Sequence, residues 1–461
     1  MSLRFFIAQI AGKSLEWFLR SVVHRGTNKP GEIALRICPD ALSNYQMPQL
    51  VICVTGTNGK TSTSNLITHL LRQSGMSVAN NAKGSNMANG LVTTLCANST
   101  IGGKIKTDAV VLEVDERSSQ YIYPYFTPSY ILCTNLFRDS IKRNGHSEFI
   151  FDKMEPYLPK HTTLVLNAND AISGLLGQTG NPQVFFGVDK TPRSTETCCN
   201  HVCDILACPQ CHKPLQYHYF HYHHIGQPYC EACGFQMPQP SYFADNVNFE
   251  NGTFLFHDAD GKEIQLPFSS GNLFNVFNVT AAATICRLSG VALSTIAREI
   301  PHFSAKLGRF EEETIQDRKL VKMLFKNQNP ISGSQCLAYL DTVPGKKDVI
   351  LLVTDSKDAV HGHEDISWLY DTDFEFLNRD EIERIIVGGT RCYDVGVRLA
   401  LAGIDPEKIV LYQDYTKMNQ HLHSDLTGAK TIAVFFELYA TPIVNAVRDT
   451  LLKGAGSHEN N

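Results

Sequence analysis

Residues 54–63 read VTGTNGKTST, and their types and order suit a phosphate-binding loop. Gly56 and Gly59 let backbone N–H groups approach phosphate oxygens closely. Lys60 brings a cation to the β- and γ-phosphates, and the Thr61 hydroxyl can hold Mg2+. Thr57 and Asn58 complete the loop, which is two residues shorter between its glycines than the common P-loop. It follows the apolar run LVICV (50–54) and precedes the helical pattern SNLITHLLRQSG (64–75), a setting that predicts ATP binding. A second constellation is CPQC (208–211) and CEAC (230–233), which together form C-x2-C-x18-C-x2-C. Four thiolates at this spacing (Cys208, Cys211, Cys230 and Cys233) suit tetrahedral Zn2+, each pair on a tight knuckle whose N–H groups support the sulfurs. A closed four-sulfur site leaves no position for water, so the zinc is expected to be structural. His201, His212, His218, His221, His223 and His224 lie in or beside this stretch. With four cysteines already completing a site, they are expected as solvated strand residues.

These groups need a frame. DAVVLEV (108–114), SYILCTN (129–135) and TTLVLNA (162–168) are apolar strands followed by polar loops. Strands alternating with helical stretches predict an α/β fold with a parallel sheet covered on both faces. Between about 195 and 245 Cys, His, Tyr and Pro crowd together and helix periodicity stops, which marks an inserted module. GNLFNVFNVTAAATICRLSG (271–290) reads as a helix ending at Gly290. The linker PHFSAKLGRF (301–310) then leads to a second α/β unit with strands KDVILLVTD, ERIIVGGT, KIVLY and TIAVFFEL. The expected organisation is an N-terminal helical segment over 1–45 and a central domain over 46–305 with an insert at about 197–245. A C-terminal domain over 306–450 and a disordered tail over 451–461 complete it.

Composition narrows the function classes. Charges of 41 basic and 46 acidic residues leave −5, with no basic tail, which argues against a nucleic-acid binder. No run of about 18 apolar residues exists to span a bilayer. The segment MSLRFFIAQIAGKSLEWFLR has too short an apolar stretch for a signal peptide. Its Phe5, Ile7, Ile10, Leu15 and Phe18 suit an amphipathic helix docked on its own domain, with contact to a membrane surface as the alternative. Fourteen cysteines without a secretory signal point to a reducing, cytoplasmic setting.

GTNGKT also resembles the nucleotide loop of the Mur ligases and folylpolyglutamate synthetases, and further motifs follow in the family's order. VLEVDERSS (111–119) resembles the strand with a Mg2+-binding glutamate, which maps to Glu113, although Glu116 competes because both precede the same polar turn. TNLFRDSIKRNG (134–145) resembles a segment that usually carries a histidine and an aspartate where this chain has Ser140 and Lys142. Lys153 is wrongly spaced for the carbamylated lysine of many Mur ligases. The helix 271–283 implies Asn275 and Asn278 near adenine, and LGRFE (307–311) implies Arg309 at phosphate. Only about 45 residues precede the loop strand, against roughly 100 for a separate UDP-sugar domain, so a lipid-linked precursor or a folate is the expected substrate.

The four-cysteine insert and the segment DSKDAVHGHEDISWLYDTDFE (355–375) narrow the likeness to the MurT-type synthetase subunits of lipid II isoglutaminyl synthases. That resemblance implies a Mur-ligase-like central ATPase domain, an inserted zinc ribbon and a C-terminal Rossmann-like domain. It implies ATP, Mg2+ and structural Zn2+, a heterodimer with a GatD-like class I glutaminase subunit, and a lipid II substrate at the membrane surface. The implied reaction is amidation of the D-glutamate α-carboxylate to D-isoglutamine through an acyl phosphate, in peptidoglycan synthesis. An acidic residue of the synthetase subunit would complete the partner's Cys-His pair. Asp355, at the end of the strand ILLVT, is the first choice, with a ribose or Mg2+ contact as in ordinary Mur ligases as its alternative role, and Asp365 is the second; Asp358, Asp371 and Asp373 are further candidates. The alternatives are a stand-alone Mur- or folylpolyglutamate-type amino-acid ligase and an ATP-binding scaffold.

Overall fold

The computed structural model describes residues 2–19, 21, 28–82, 85–139, 145–177, 180–268, 272–303, 310–325, 329–353, 366–437 and 440–453. The chain divides into two compact units. The first comprises Met1–Phe137, His146–Cys199 and Cys203–Ala305, the second Arg138–Gly145, Asn200–Val202 and Lys306–Asn461.

The first unit is built on β1 (Leu50–Thr55), β2 (Val78–Asn80), β3 (Ala109–Glu113), β4 (Tyr130–Cys133), β5 (Thr163–Asn167) and β6 (Gln183–Val188). These run parallel and are continued by β9 (Tyr242–Asn248), β10 (Thr253–His257) and β11 (Glu263–Pro267), in the order β11-β10-β9-β6-β5-β4-β1-β3-β2. β1 and β3 are buried along nearly their whole length, as their unbroken apolar runs require of strands covered on both faces. Chain order reverses on either side of β1, which pairs with β3 and β4. Open α/β sheets bind ligands at the carboxyl ends of strands flanking such a switch point. The antiparallel pairs β9–β10 and β10–β11 were not legible as strands, because DNVNFENGT alternates polar residues through a turn.

Of the N-terminal segment, α1 (Leu3–Phe18) and α2 (Lys29–Ile37) pack with α4 (Ala88–Ala97). α1 buries Phe5, Ala8, Gln9 and Gly12, while Leu3, Ile7, Ile10 and Trp17 stay exposed. Among the described residues no helix is long and apolar enough to cross a membrane. Where α2 crosses α4, the Gly31 N–H donates to Thr93 Oγ1 at 2.9 Å. A Cβ on Gly31 would stand 1.8 Å from the Asn89 carbonyl oxygen.

Between β6 and β9 the chain forms the cysteine module, with the antiparallel hairpin β7 (Gln216–Tyr222) and β8 (Ile225–Tyr229). The second unit holds a six-stranded sheet of β12 (Phe310–Ile315), β13 (Arg318–Leu324), β14 (Lys347–Leu352), β15 (Ile382–Gly388), β16 (Ile409–Tyr412) and β17 (Thr431–Phe436). Its order is β12-β13-β17-β14-β15-β16, parallel except for β12–β13. The charged strands FEEETI and RKLVKML hide the apolar alternation that would mark them, and only the structure reveals this hairpin. Since a methyl at the α2–α4 crossing would meet backbone, Gly31→Ala is expected to destabilise the chain by about 1–3 kcal/mol in urea unfolding. The outward-facing Gly75→Ala, whose Cβ meets nothing within 4 Å, measures the cost of positive φ alone.

Candidate functional site

The loop after β1 enters α3 (Lys60–Gln73), whose N-cap is Gly59 in the left-handed region at φ 87°. Gly56 also has positive φ, and Cβ atoms there would lie 2.3 Å from Thr134 Oγ1 and, at Gly59, 2.3 Å from Asn278 Oδ1. Glycine is therefore required twice, by conformation and by space. Thr134 Oγ1 donates to the Asn58 carbonyl at 2.7 Å, and the Thr57 N–H donates to the Asn135 carbonyl at 2.9 Å. Asn135 further clamps Asn58, accepting its N–H at Oδ1 and donating from Nδ2 to its carbonyl. The resulting arch presents the first turn of α3, with its unpaired N–H groups and positive dipole end, to an anion.

Lys60 is buried, its ammonium 2.7 Å from Glu116 Oε1 and also donating to the Gly56 carbonyl. Burial alone would pull its pKa down, but Glu116, and further off Glu113 and Asp115, outweigh that and raise it. The two glutamates differ in their contacts: Glu116 pairs with Lys60, whereas Glu113 Oε2 accepts from Thr61 Oγ1 at 2.7 Å. Asn86 Nδ2 donates to the other Glu113 oxygen at 3.1 Å, and Asn81 brackets the Glu113 backbone from both its N–H and its carbonyl. A hydroxyl and a carboxylate converging at the first turn of α3 are hard oxygen donors of the kind Mg2+ takes. Asn278, on the helix Leu273–Leu288, meets Thr63 Oγ1 at 3.3 Å, and Asn275 lies nearly one turn earlier. Arg309, Asp355, Asp358 and Asp365 lie outside the described residues, as do Ser140 and Lys142. Asp373 is buried and accepts from Asn200 Nδ2 and the His201 N–H, while Asp371 lies 3.6 Å from Arg138. Lys153 sits over the Phe149 ring.

The four cysteine sulfurs all lie within 4.8 Å of one another. Cys208 and Cys233 are 3.6 Å apart, as are Cys211 and Cys230. Zn–S bonds of about 2.3 Å in a tetrahedron place sulfurs about 3.8 Å apart, so these residues fit such an ion. The two knuckles repeat one backbone pattern. The Cys208 N–H donates to Lys213 and the His212 N–H to Cys208; the Cys230 N–H donates to Phe235 and the Gly234 N–H to Cys230. His212 and Gly234 take the same left-handed position, at φ 59° and 74°. Burial pushes the Cys208 thiol up, but the N–H groups of Cys211 and Gln210 outweigh it and bring it down to about 7.

The histidines of the module are not all solvated, which corrects the expectation. His223 and His224 at the hairpin tip are fully buried, because the tip packs on Phe137 and is held to the turn after β5. His221 is enclosed by Tyr219 and Phe277, and burial pushes it down to about 4. His224 Nε2 lies 3.3 Å from Asp170 Oδ1. Asp170 also accepts from the N–H groups of Leu136 and Ile172, each at 2.8 Å, and from Ser173 Oγ at 2.6 Å. Burial would raise this carboxyl, but His224, Ser173 and Ile172 together hold it below its usual range. Asn81, Asn86 and Asp170 are residues of the candidate site that sequence reasoning missed, and His224 is one it placed among the solvated histidines.

Because Glu116 is buried against Lys60, removing one partner strands the other. Lys60→Met is expected to cost about 3–5 kcal/mol in chemical unfolding, with much of it recovered in the Lys60→Met/Glu116→Leu double variant.

The Mur ligase middle domain matches residues 54–201, and the MurT ligase C-terminal domain matches 326–439. The MurT subunit of lipid II isoglutaminyl synthase (glutamine-hydrolyzing) from Staphylococcus aureus (strain N315) is 32% identical over 393 residues, 85% of this chain and 86% of that one. Its counterpart from Streptococcus pneumoniae (strain ATCC BAA-255 / R6) is 31% identical over 413 residues, 89% of each chain. Among solved structures, a pseudomurein peptide ligase type C from Methanothermus fervidus superposes with a TM-score of 0.63 at 21% identity, covering 89% of this chain and 81% of that one, a likeness of fold. With its two halves matched in order and such identity along most of both subunits, the chain belongs to the MurT family of Mur-ligase-like synthetase subunits.

Proposed function

We propose that this chain is the ATP-dependent synthetase subunit that amidates the D-glutamate α-carboxylate of the lipid II stem peptide, with ammonia from a GatD-like glutaminase partner. The observation that carries the reading is the convergence of Lys60, Thr61 and Glu113 at the carboxyl ends of β1 and β3 in a chain whose second half matches the MurT C-terminal domain. ATP supplies the γ-phosphoryl that converts the carboxylate to an acyl phosphate, from which ammonia displaces phosphate to leave the amide.

The chain's own part is positioning and charge stabilisation, which dominate phosphoryl transfer. Gly56, Thr57, Asn58 and Gly59 shape the arch, with the Thr57 and Asn58 N–H groups bonded to Asn135, so that N–H groups of the first turn of α3 meet phosphate oxygens, and the pinned Lys60 ammonium meets the charge that builds on the transferring group. Thr61 and Glu113 hold Mg2+, and Asn275 and Asn278 approach the adenine. Arg309 is the further phosphate contact that the family likeness implies. Asp355, or failing it Asp365, completes the partner's Cys-His pair by orienting the imidazolium. Cys208, Cys211, Cys230 and Cys233 hold a structural Zn2+. A lipid-linked substrate places the reaction at the cytoplasmic face of the membrane, and the exposed Leu3, Ile7, Ile10 and Trp17 of α1 have the chemistry of that boundary.

The test is to incubate the chain with ATP, Mg2+ and lipid II, with and without ammonium, and follow the stem-peptide mass. An ammonium-dependent change from carboxylate to amide, lowered about 100- to 1000-fold by Lys60→Ala, is the expected result. A gain of a whole residue when amino acids are supplied would overturn amidation in favour of a stand-alone ligase. For the metal, Cys211→Ser is expected to abolish stoichiometric zinc in elemental analysis and to lower the unfolding midpoint, because binding free energy of a structural ion is folding free energy. Retention of full zinc by that variant would exclude the four-sulfur site.

A further inference from the structure

The cysteine module touches the nucleotide loop through a buried relay that neither zinc binding nor the phosphate cradle requires. His224, at the tip of the β7–β8 hairpin, faces Asp170 at 3.3 Å, and its ring packs on Phe137 with centroids 4.4 Å apart. Tyr222 stacks on the same Phe137 ring at 6.1 Å. Asp170 uses its second oxygen to accept the Leu136 N–H at 2.8 Å, so one carboxylate binds the hairpin on one side and the segment after β4 on the other. That segment ends on the loop itself. The Phe137 N–H donates to Thr57 Oγ1 at 2.9 Å, and Thr57 Oγ1 donates back to the Phe137 carbonyl at 3.2 Å. The hairpin is also anchored to the turn after β5, where the Gly226 N–H donates to the Asn169 carbonyl at 2.9 Å.

We infer that His224 is a positioning residue for nucleotide binding, acting through Asp170 and Phe137 to set the backbone of Thr57 and Asn58. The inference rests on the proposed use of ATP. Removing the imidazole leaves Asp170 Oδ1 with the Ile172 N–H alone and opens space against Phe137. Leu136 and Phe137 can then relax, and Thr57 moves with them. Close packing makes such a displacement discrete rather than absorbed, because neighbouring side chains have no free volume to take it up. The module thus supports the ATP site as well as its own fold.

The test is calorimetric titration of the full chain with Mg-ADP. Wild-type binding comes first; its absence would overturn the ATP reading itself and the inference with it. His224→Gln is expected to weaken Mg-ADP about tenfold, a size typical of residues that act on a site through intermediates. Zinc content and circular dichroism should stay at wild-type values. His218→Gln, on the same hairpin with its ring stacked on Tyr229, should leave the affinity unchanged. Phe137→Leu probes the relay from the loop side, and its effect should not add to that of His224→Gln if the two act in series. In ammonium-driven turnover the KM for ATP should rise while the KM for ammonium does not. Mg-ADP affinity within about twofold of wild type in folded, zinc-loaded His224→Gln and Phe137→Leu would overturn the inference.

Discussion

A carboxylate held wholly out of water must be surrounded by donors, and Asp170 shows what that demand does to a fold. Its two oxygens accept from the N–H groups of Leu136 and Ile172 and from the Ser173 hydroxyl, and the His224 ring faces it at 3.3 Å. These groups come from three stretches: the segment after β4, the turn after β5 and the tip of the module's hairpin. An unpaired buried charge costs several kcal/mol, so none of the three can drift without stranding the others. The segment after β4 is also the wall against which Thr57 and Asn58 are arched. The loop's shape therefore depends on a residue more than a hundred positions downstream of it.

Charge is managed differently on the two sides of the loop. Lys60 and Glu116 are both buried and satisfy each other, so the cation is held in place before any nucleotide arrives. Glu113, three residues earlier, keeps its carboxylate at the rim, braced by Asn86 and touching the Thr61 hydroxyl. In the proposed reading, a pre-set cation and a braced carboxylate reduce the reorganisation needed when charge develops, which is the main way protein groups assist phosphoryl transfer. Division of labour between two glutamates follows from a single turn: Asp115 caps the short helix that carries Glu116 inward, and β3 ends with Glu113 facing outward.

The cysteine module uses one backbone device twice. Each knuckle closes with an N–H bond back to its first cysteine's carbonyl and a left-handed residue after its second cysteine. Glycine fills that position in one knuckle and His212 in the other, where an L side chain is tolerated at some cost. Repetition of this turn brings four sulfurs together although only two of the cysteines are fully buried.

Much of this was legible from residue order. An unbroken apolar run, a Gly-x-x-Gly-Lys-Thr and a helical pattern force strand, loop and helix N-terminus, because glycine alone accepts positive φ beside Thr134 and Asn278. The paired CxxC spacing likewise marks two knuckles, each a local turn, whose four sulfurs the folded chain brings together. The parallel strands of both units follow from their apolar runs, whereas β12–β13 and β9–β11 were hidden by charged and polar alternation. Tertiary structure alone decided which glutamate pairs with Lys60 and that Asp170 serves three segments. It also decided that His223 and His224 are core residues rather than solvated ones. Local sequence specifies conformation through steric and hydrogen-bonding rules of short range. Burial of a polar side chain depends on what the rest of the chain packs against it, and only the folded whole supplies that partner.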